Sequence, residues 1–212
     1  MVNVEEIFED NKLIKDVQEK LPKLFYIAEI ESSRAGKVGM EVGSLREKII
    51  IALLVYKFGL NHVNTNVPIT EPEKDVILDG KGISIKTITG NGGVKAVWTV
   101  DAQSAKKFVK EYSPRCDIIL IQICWGSDKG GLFFIPLKAQ QEIFKILGRD
   151  TYLKMPKLGT NPRGVEFSKK AVENMLNHKD TKAIKINWKK EKIKYDIHER
   201  WVKYWSGEKK LD

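Results

Sequence analysis

The chain contains little cysteine and no spacing typical of a zinc site. Its two cysteines, Cys116 and Cys124, lie near or within one apolar segment, residues 117–125. Because eight residues of a strand span roughly 26 Å, these thiols are too far apart for a disulfide, and we expect both to be reduced. Neither a Cys-x-x-Cys nor a His-x-x-x-His pattern occurs, so the sequence does not indicate zinc binding.

Long apolar runs are also missing from the chain. None approaches the roughly 20 residues that a membrane span requires. The first residues, Met-Val-Asn-Val-Glu-Glu, are acidic and lack the features of a signal peptide. We therefore expect a cytoplasmic protein without a membrane partner.

The composition is that of a basic globular protein. With 212 residues, 42% of them hydrophobic, the chain is long enough for one good core. We expect a single domain over residues 1–212, with a basic region rich in Trp and Lys at about 179–212 packed on it. The net charge of +9 favours a polyanionic partner, of which nucleic acid is the leading candidate. Charge alone is weak evidence, because many small basic proteins never contact nucleic acid.

Helical and strand patterns alternate along the chain. The first helix is predicted at residues 4–20, with Pro22 marking its end. A second begins after an N-cap at Ser44, covers residues 45–58 and ends at Gly59; its apolar run suggests that it is well buried. Further helices are predicted at 102–112, 138–147 and 168–177, and strands at 117–125 and 131–137. This order predicts an α/β fold, with a mixed β-sheet core flanked by helices.

The most informative segment is a predicted β-hairpin at residues 75–86. Two apolar runs flank an Asp-Gly-Lys-Gly turn, which is a strong hairpin signal. If Gly80 and Lys81 form the turn, Leu78 faces Ile83, and Asp75 lies opposite Lys86. Asp79 is then a turn residue, since Asp-Gly is a preferred turn pair.

Side chains on one face of this hairpin form a candidate catalytic site. Ser84 precedes Lys86 by two residues and therefore shares its face with Lys86 and Asp75. An acid and an amine placed together can bind a divalent metal ion and orient a water molecule. Because Mg²⁺ usually takes one or two carboxylates, we expect a second acid, Glu47, with Glu41 as the reserve candidate.

Each of these residues also has a purely structural interpretation. Ser44-x-x-Glu47 matches a capping box, in which Glu47 would only accept a backbone hydrogen bond. Asp75 could simply begin a strand, and Lys86 could protect a sheet edge from aggregation. The combination of the three residues favours a catalytic role.

The same residues resemble the PD-(D/E)XK nuclease superfamily. Its usual signature is an Asp on one hairpin strand, (D/E)-x-Lys on the next, and often Gly-x-x-x-Glu on a preceding helix. This chain has Gly43-x-x-x-Glu47, Asp75 and Ser84-Ile85-Lys86. Ser84 departs from the usual acid, a variant shared by several restriction enzymes of the superfamily, and the helix glutamate would supply the missing charge.

This resemblance implies a catalytic mechanism and its cofactor. Glu47 and Asp75 would coordinate Mg²⁺, with the backbone carbonyl of Ile85 as a further ligand. Lys86 would hold the attacking water and stabilise charge on the phosphate, and Ser84 would hydrogen-bond a water on the metal. Hydrolysis would leave a 5′-phosphate and a 3′-hydroxyl.

The whole chain, including residues 94–101 and 161–164, is most similar to a type II restriction endonuclease that cuts CGCG to blunt ends. The resemblance implies a sequence-specific double-stranded DNA endonuclease, acting as a homodimer beside a cognate DNA methyltransferase that protects the same site. Two alternatives remain at this point. One is a Holliday-junction or repair nuclease of the same superfamily, and the other is a non-catalytic DNA-binding protein with a degenerate site.

Residues outside the catalytic set are expected to contact DNA. Met40, in a glycine-rich loop, could be an apolar wedge between base steps, or it could fold back against the core. Arg163 could read guanine. The predicted DNA-binding set, which also takes in the loop at 90–93, comprises Lys37, Met40, Ser84, Asn91, Lys95 and Arg163.

Overall fold

We describe residues 1–68, 71, 73–98, 101–155 and 164–208 of a computed structural model. After a 3₁₀ helix at Val4–Phe8, the helices are α1 Asn11–Ser32, α2 Val42–Phe58, α3 Ala102–Glu111, α4 Leu137–Leu147, α5 Arg149–Tyr152, α6 Lys169–Leu176 and α7 Glu199–Trp205. The strands are β1 Ser33–Arg34, β2 Lys37–Val38, β3 Val63–Asn64, β4 Val76–Leu78, β5 Lys81–Thr89, β6 Val94–Val97, β7 Asp117–Ile123, β8 Gly131–Ile135, β9 Leu153–Lys154, β10 Val165–Phe167 and β11 Lys182–Lys185.

A six-stranded mixed sheet, in the order β11-β8-β7-β5-β4-β3, forms the centre of the molecule. Strands β5 and β7 are parallel, and the other neighbours are antiparallel. A crossover through β6 and α3 joins the parallel pair, as such a pairing requires. The predicted α/β class with a mixed sheet is confirmed.

Both faces of the sheet are covered by hydrophobic clusters. Along β7, Ile119 and Ile121 pack toward α1 and α2, whereas Ile118 and Leu120 pack toward α3, α4 and a second sheet, β6-β10-β9. This alternation follows from the two-residue period of a strand. The sheet is therefore the middle layer of the fold.

The prediction that Pro22 ends the first helix is wrong. Helix α1 begins after the N-cap Asp10, whose carboxylate accepts hydrogen bonds from the backbone of Lys12 and Leu13, and it continues through Pro22 to Ser32. A proline inside a helix removes one backbone hydrogen bond. Here Leu21, Pro22 and Phe25 are all buried, and this packing outweighs the loss.

Helix α2 also differs from its prediction at its start and in its burial. It begins at Val42 after Glu41, which makes no side-chain cap, so Ser44 lies inside the first turn and is not the N-cap. Its end at Gly59 is confirmed. Only four of its side chains are buried (Arg46, Ile50, Leu54 and Phe58), so the expectation of a well-buried helix is wrong.

Several other predicted elements are confirmed. Asp101 caps α3 and Ser168 caps α6 through side-chain hydrogen bonds to the helix backbone. Strands β7 and β8 pair as an antiparallel unit. Cys116 and Cys124 are free thiols. In the described ranges no helix has the length and apolar character needed to cross a membrane.

The basic C-terminal segment contributes to the core at one end only. Strand β11 pairs with β8 at the edge of the main sheet, and Trp188 is fully buried between the rings of Phe25 and Trp125. Helix α7, by contrast, has no buried residue.

Candidate active site

The β4–β5 hairpin turns at Asp79 and Gly80, whose φ angles are 44° and 83°. Two positive φ angles are what a two-residue hairpin turn favours, and Asp-Gly adopts them readily. The Asp79 carboxylate is held in place by the backbone N–H of Val2, at 2.7 Å, and by His62, at 2.8 Å. Asp79 is thus a turn residue, as predicted.

The predicted hairpin register is wrong by two residues. Val76, and not Leu78, pairs with Ile83, while Leu78 pairs with Lys81. Continuing this register places Asp75 opposite Ser84 instead of Lys86. A shift of two residues keeps every side chain on its original face, so Asp75, Ser84 and Lys86 still project on the same side of the sheet.

Three donors converge on one oxygen of Asp75. Its Oδ2 accepts hydrogen bonds from the Ser84 hydroxyl at 3.2 Å and from the Ile85 backbone N–H at 2.5 Å. The Lys86 ammonium lies 3.7 Å from the same atom. The other carboxylate oxygen, Oδ1, takes part in none of these contacts, and this arrangement fixes the carboxylate while leaving ligand capacity.

Glu47 approaches this group from helix α2. Burial raises the pKa of Glu47 above its ordinary value, and the nearby Asp75 carboxylate raises it further, while Lys86 and Lys48 lower it. The capping-box interpretation of Glu47 is wrong, since Ser44 is not the N-cap. The reserve acid, Glu41, is exposed and lies 3.9 Å from Arg34.

A cleft of about 500 Å³ contains Glu47, Asp75, Ile85 and Lys86. The start of α2 contributes to the lining, β5 provides the residues from Ile85 to Thr89, and β6 with Glu166 of β10 completes it. Four separate elements therefore meet at one opening.

The donor set suits a hard divalent cation such as Mg²⁺. Two carboxylates close enough to raise the pKa of Glu47 repel each other, and a cation between them would relieve that repulsion. Among the described ranges, no cluster of three or more His, Cys, Asp or Glu side chains offers an all-protein metal cage. Mg²⁺ does not need one, because it commonly binds one or two carboxylates and completes its shell with water and phosphate oxygens.

The predicted DNA-binding residues have different environments. Met40 lines the cleft with 93% of its surface exposed, and Lys37 is exposed on β2. Asn91 accepts a hydrogen bond from Gln122 at 2.8 Å. Lys95 lines the cleft and lies 2.8 Å from Glu166.

Two other members of that set need separate mention. Ser84 is only 3% exposed, and its hydroxyl donates a hydrogen bond to Asp75. Ser84 therefore orients the Asp75 carboxylate. Arg163 lies outside the described residues.

Three residues of this region were missed by sequence reasoning. Glu73 shares a small pocket with Lys86, and burial raises its pKa against the opposing effects of Arg115 and Lys86. Trp98 and Glu166 line the main cleft. Proximity of Glu73 to Asp75 in the sequence was the available signal, whereas nothing local marked Glu166.

Comparison with known proteins decides the family. The model of the restriction endonuclease ThaI family matches residues 7–207. The chain belongs to the ThaI restriction endonuclease family. A solved structure described as a restriction endonuclease in complex with substrate DNA is similar to it, with 53% identity and a TM-score of 0.88. The alignment covers 96% of this chain and 99% of that one. No curated protein matches the chain.

As a ThaI family member, the protein is a type II restriction enzyme and a site-specific deoxyribonuclease. The predicted resemblance to restriction endonucleases is confirmed, and the same findings confirm the fold. Of the functions that the sequence left open, the restriction enzyme is therefore the one supported.

Proposed function

We propose that this ThaI family enzyme hydrolyses double-stranded DNA with Mg²⁺ held by Glu47, Asp75 and the Ile85 backbone carbonyl, and that Lys86 is the catalytic amine. The observation that carries the proposal is the convergence of Glu47, from a helix, with Asp75 and Lys86, from two strands, in one cleft. Two carboxylates placed close together repel each other and destabilise a fold, so their proximity favours a functional role over a purely structural one.

The residues of the chain divide the work between support and chemistry. Ser84 and the Ile85 N–H hold Asp75 in one orientation. Lys86, only 14% exposed at its side chain, donates a hydrogen bond to the attacking water and stabilises the charge that develops on the phosphate oxygens. When bound, Mg²⁺ supplies a Lewis acid that lowers the pKa of water and offsets phosphate charge. In-line attack of this water on phosphorus breaks the bond from phosphorus to the 3′ oxygen. The water loses a proton to solvent and the 3′ oxygen takes one up, which leaves a 5′-phosphate and a 3′-hydroxyl.

We propose CGCG, cut to blunt ends, as the target, and a cytoplasmic DNA methyltransferase as the partner that protects it. The resemblance to the ThaI family implies this choice of sequence, and the family match over residues 7–207 supports the resemblance. A palindromic target presents the same bases twice about a two-fold axis, so a symmetric homodimer would read it with two copies of one surface.

Met40 is proposed as a wedge that enters the duplex. Its side chain is almost fully exposed at the cleft, contrary to the alternative of a loop methionine folded on the core. Apolar wedges inserted between base steps are a known way of distorting DNA, and pyrimidine–purine steps such as CG unstack comparatively easily. Lys37, Asn91, Lys95 and Arg163 are proposed to contact the duplex around it.

Incubating the protein with a sequenced plasmid tests the proposal. Discrete fragments that form with Mg²⁺ and disappear with EDTA are expected, and mapping their ends checks the target and the blunt cut. DNA that is retarded in a gel but never cut would contradict the catalytic assignment. Fragments without a common end sequence would contradict cleavage at one specific target sequence.

Replacing Met40 with Ala tests the wedge. We expect about tenfold weaker binding to the cognate duplex, near the lower end of the scale for one mismatched base pair, with an unchanged melting temperature because Met40 is 93% exposed. Fluorescence anisotropy of a labelled duplex measures the affinity. Met155→Ala, a methionine outside the cleft lining, is the matched control. Equal affinities of Met40→Ala and the wild type would remove Met40 from the interface.

A further inference from the structure

Trp98 is a large aromatic residue that is exposed to solvent. It follows β6 directly and is 67% exposed, although Ala96 and Val97 just before it are buried. Trp98 lines the same cleft as Glu47, Asp75 and Lys86. Tryptophan carries the largest apolar surface of any side chain, and aromatic residues held at a surface are typical of binding sites.

The indole is held in position by a charged pair. The Lys95 ammonium lies 5.2 Å from the centre of the Trp98 ring, within the range of a cation–π contact. The same ammonium lies 2.8 Å from a Glu166 carboxylate oxygen. Lys95 and Glu166 are directly paired across β6 and β10, so the ammonium beneath the indole is fixed by two strands.

Two exposed apolar side chains, Met40 and Trp98, line the cleft. Met40 lies two residues before α2, and Trp98 directly follows β6. The catalytic residues of α2 and β5 line the cleft with them. A duplex whose phosphate reaches Lys86 therefore enters the cleft that Trp98 lines.

We propose that Trp98 is a DNA-contact residue, which packs its indole against a nucleotide of the bound duplex and is preset for this contact by the Lys95–Glu166 pair. The inference rests on the proposed function, since it requires that the cleft receives DNA. Removing a large aromatic side chain that contacts a bound partner commonly weakens binding by about tenfold or more.

Affinity measurements on matched tryptophan variants test the inference. The probe is a labelled duplex carrying the sequence that the wild type cuts, with Ca²⁺ replacing Mg²⁺ to prevent cleavage. We expect W98A to bind about tenfold more weakly and W98F to retain most of the affinity. The control is W205A, because Trp205 is 92% exposed on α7 and lies outside the cleft lining; it should bind like the wild type.

Tryptophan emission supplies an independent readout. The change in emission on adding the duplex should be strongly reduced in W98F and retained in W205F. An unreduced change in W98F, or W98A affinity equal to that of the wild type, would overturn the inference. Equal weakening in W98A and W205A would also overturn it. Failure of the wild type to cut any DNA would instead overturn the proposed function, so the two failures are distinguishable.

Discussion

Arg46 and Glu47 are neighbours in helix α2, yet their side chains belong to two charge clusters that differ in how closely their charges are paired. Successive residues of a helix point about 100° apart, so one side chain enters the core and the other enters the cleft. The first cluster joins Arg46 to Glu29. The second joins Glu47 to Asp75 and Lys86.

The Arg46–Glu29 cluster is closely paired. Both residues are only 5% exposed, and the guanidinium lies 2.6 Å from Glu29. Glu29 also accepts a hydrogen bond from the Trp125 indole at 2.7 Å, and its second oxygen lies 2.7 Å from the Lys190 ammonium. Both oxygens of this carboxylate are therefore occupied by donors of the chain.

The Glu47–Asp75–Lys86 cluster is loosely paired by comparison. The ammonium lies 3.7 Å from Asp75, and the pKa of Glu47 is raised, first by burial and then by the nearby Asp75 carboxylate. Unfavourable charge placement in a cleft is typical of functional sites. The difference indicates that Arg46 fixes the position of α2 in the core, whereas Glu47 places a carboxylate in the cleft.

Removal of the Lys86 amine should have the largest effect and is the strongest test of the difference between the two clusters. In Lys86→Ala we expect cleavage to fall by about 10³-fold, the scale for losing one preorganised charge in a transition state, while the fold is kept. Gel assays of plasmid cutting measure the rate. Lys81→Ala, an exposed lysine on the same strand, should cut normally. A cleavage rate of Lys86→Ala equal to that of the wild type would show that Lys86 has no catalytic role.

Breaking the closely paired cluster should instead affect folding. Arg46→Met leaves Glu29 buried with one fewer partner, and we expect the free energy of unfolding to fall by about 3 kcal/mol. Urea unfolding followed by circular dichroism measures it. The exposed pair of Lys203 with Glu199 provides the control, since Lys203→Met should change stability by less than about 0.5 kcal/mol. A similar loss in both variants would remove the distinction between the clusters.

The smallest effect should come from neutralising the second acid. A raised pKa means that folded Glu47 holds its proton more tightly than the unfolded chain does, so its ionisation destabilises the fold. Glu47→Gln should therefore stabilise the metal-free protein by on the order of 0.5 kcal/mol at neutral pH, while reducing Mg²⁺-dependent cleavage. Thermal melting without metal measures this gain.

The pH dependence of that gain checks its sign. As pH falls and Glu47 takes up its proton, the melting temperatures of the wild type and Glu47→Gln should converge. A melting temperature of Glu47→Gln below that of the wild type at neutral pH would show that ionised Glu47 stabilises the fold, contrary to its raised pKa.

The sequence located the candidate site better than it located the elements that build it. The face shared by Asp75, Ser84 and Lys86 was predictable, because the two-residue period of a strand is unaffected by an error of two in register. The register itself was mispredicted, since either of two overlapping glycine-containing pairs could form the turn. Helix α1 was ended too early, because local propensity does not include the burial of Pro22.

What the amino-acid order determined by itself was the alternation of β7, the existence of the β4–β5 hairpin, the caps of α3 and α6, and the residue types available for chemistry. These depend on interactions within a few residues. Tertiary structure alone decided that Glu47 meets Asp75, that Arg46 meets Glu29, and that Trp98 stays exposed at the cleft. These contacts depend on how α2, β5 and β6 pack together. Packing brings together residues that are far apart in the sequence, and no local sequence pattern predicts such contacts.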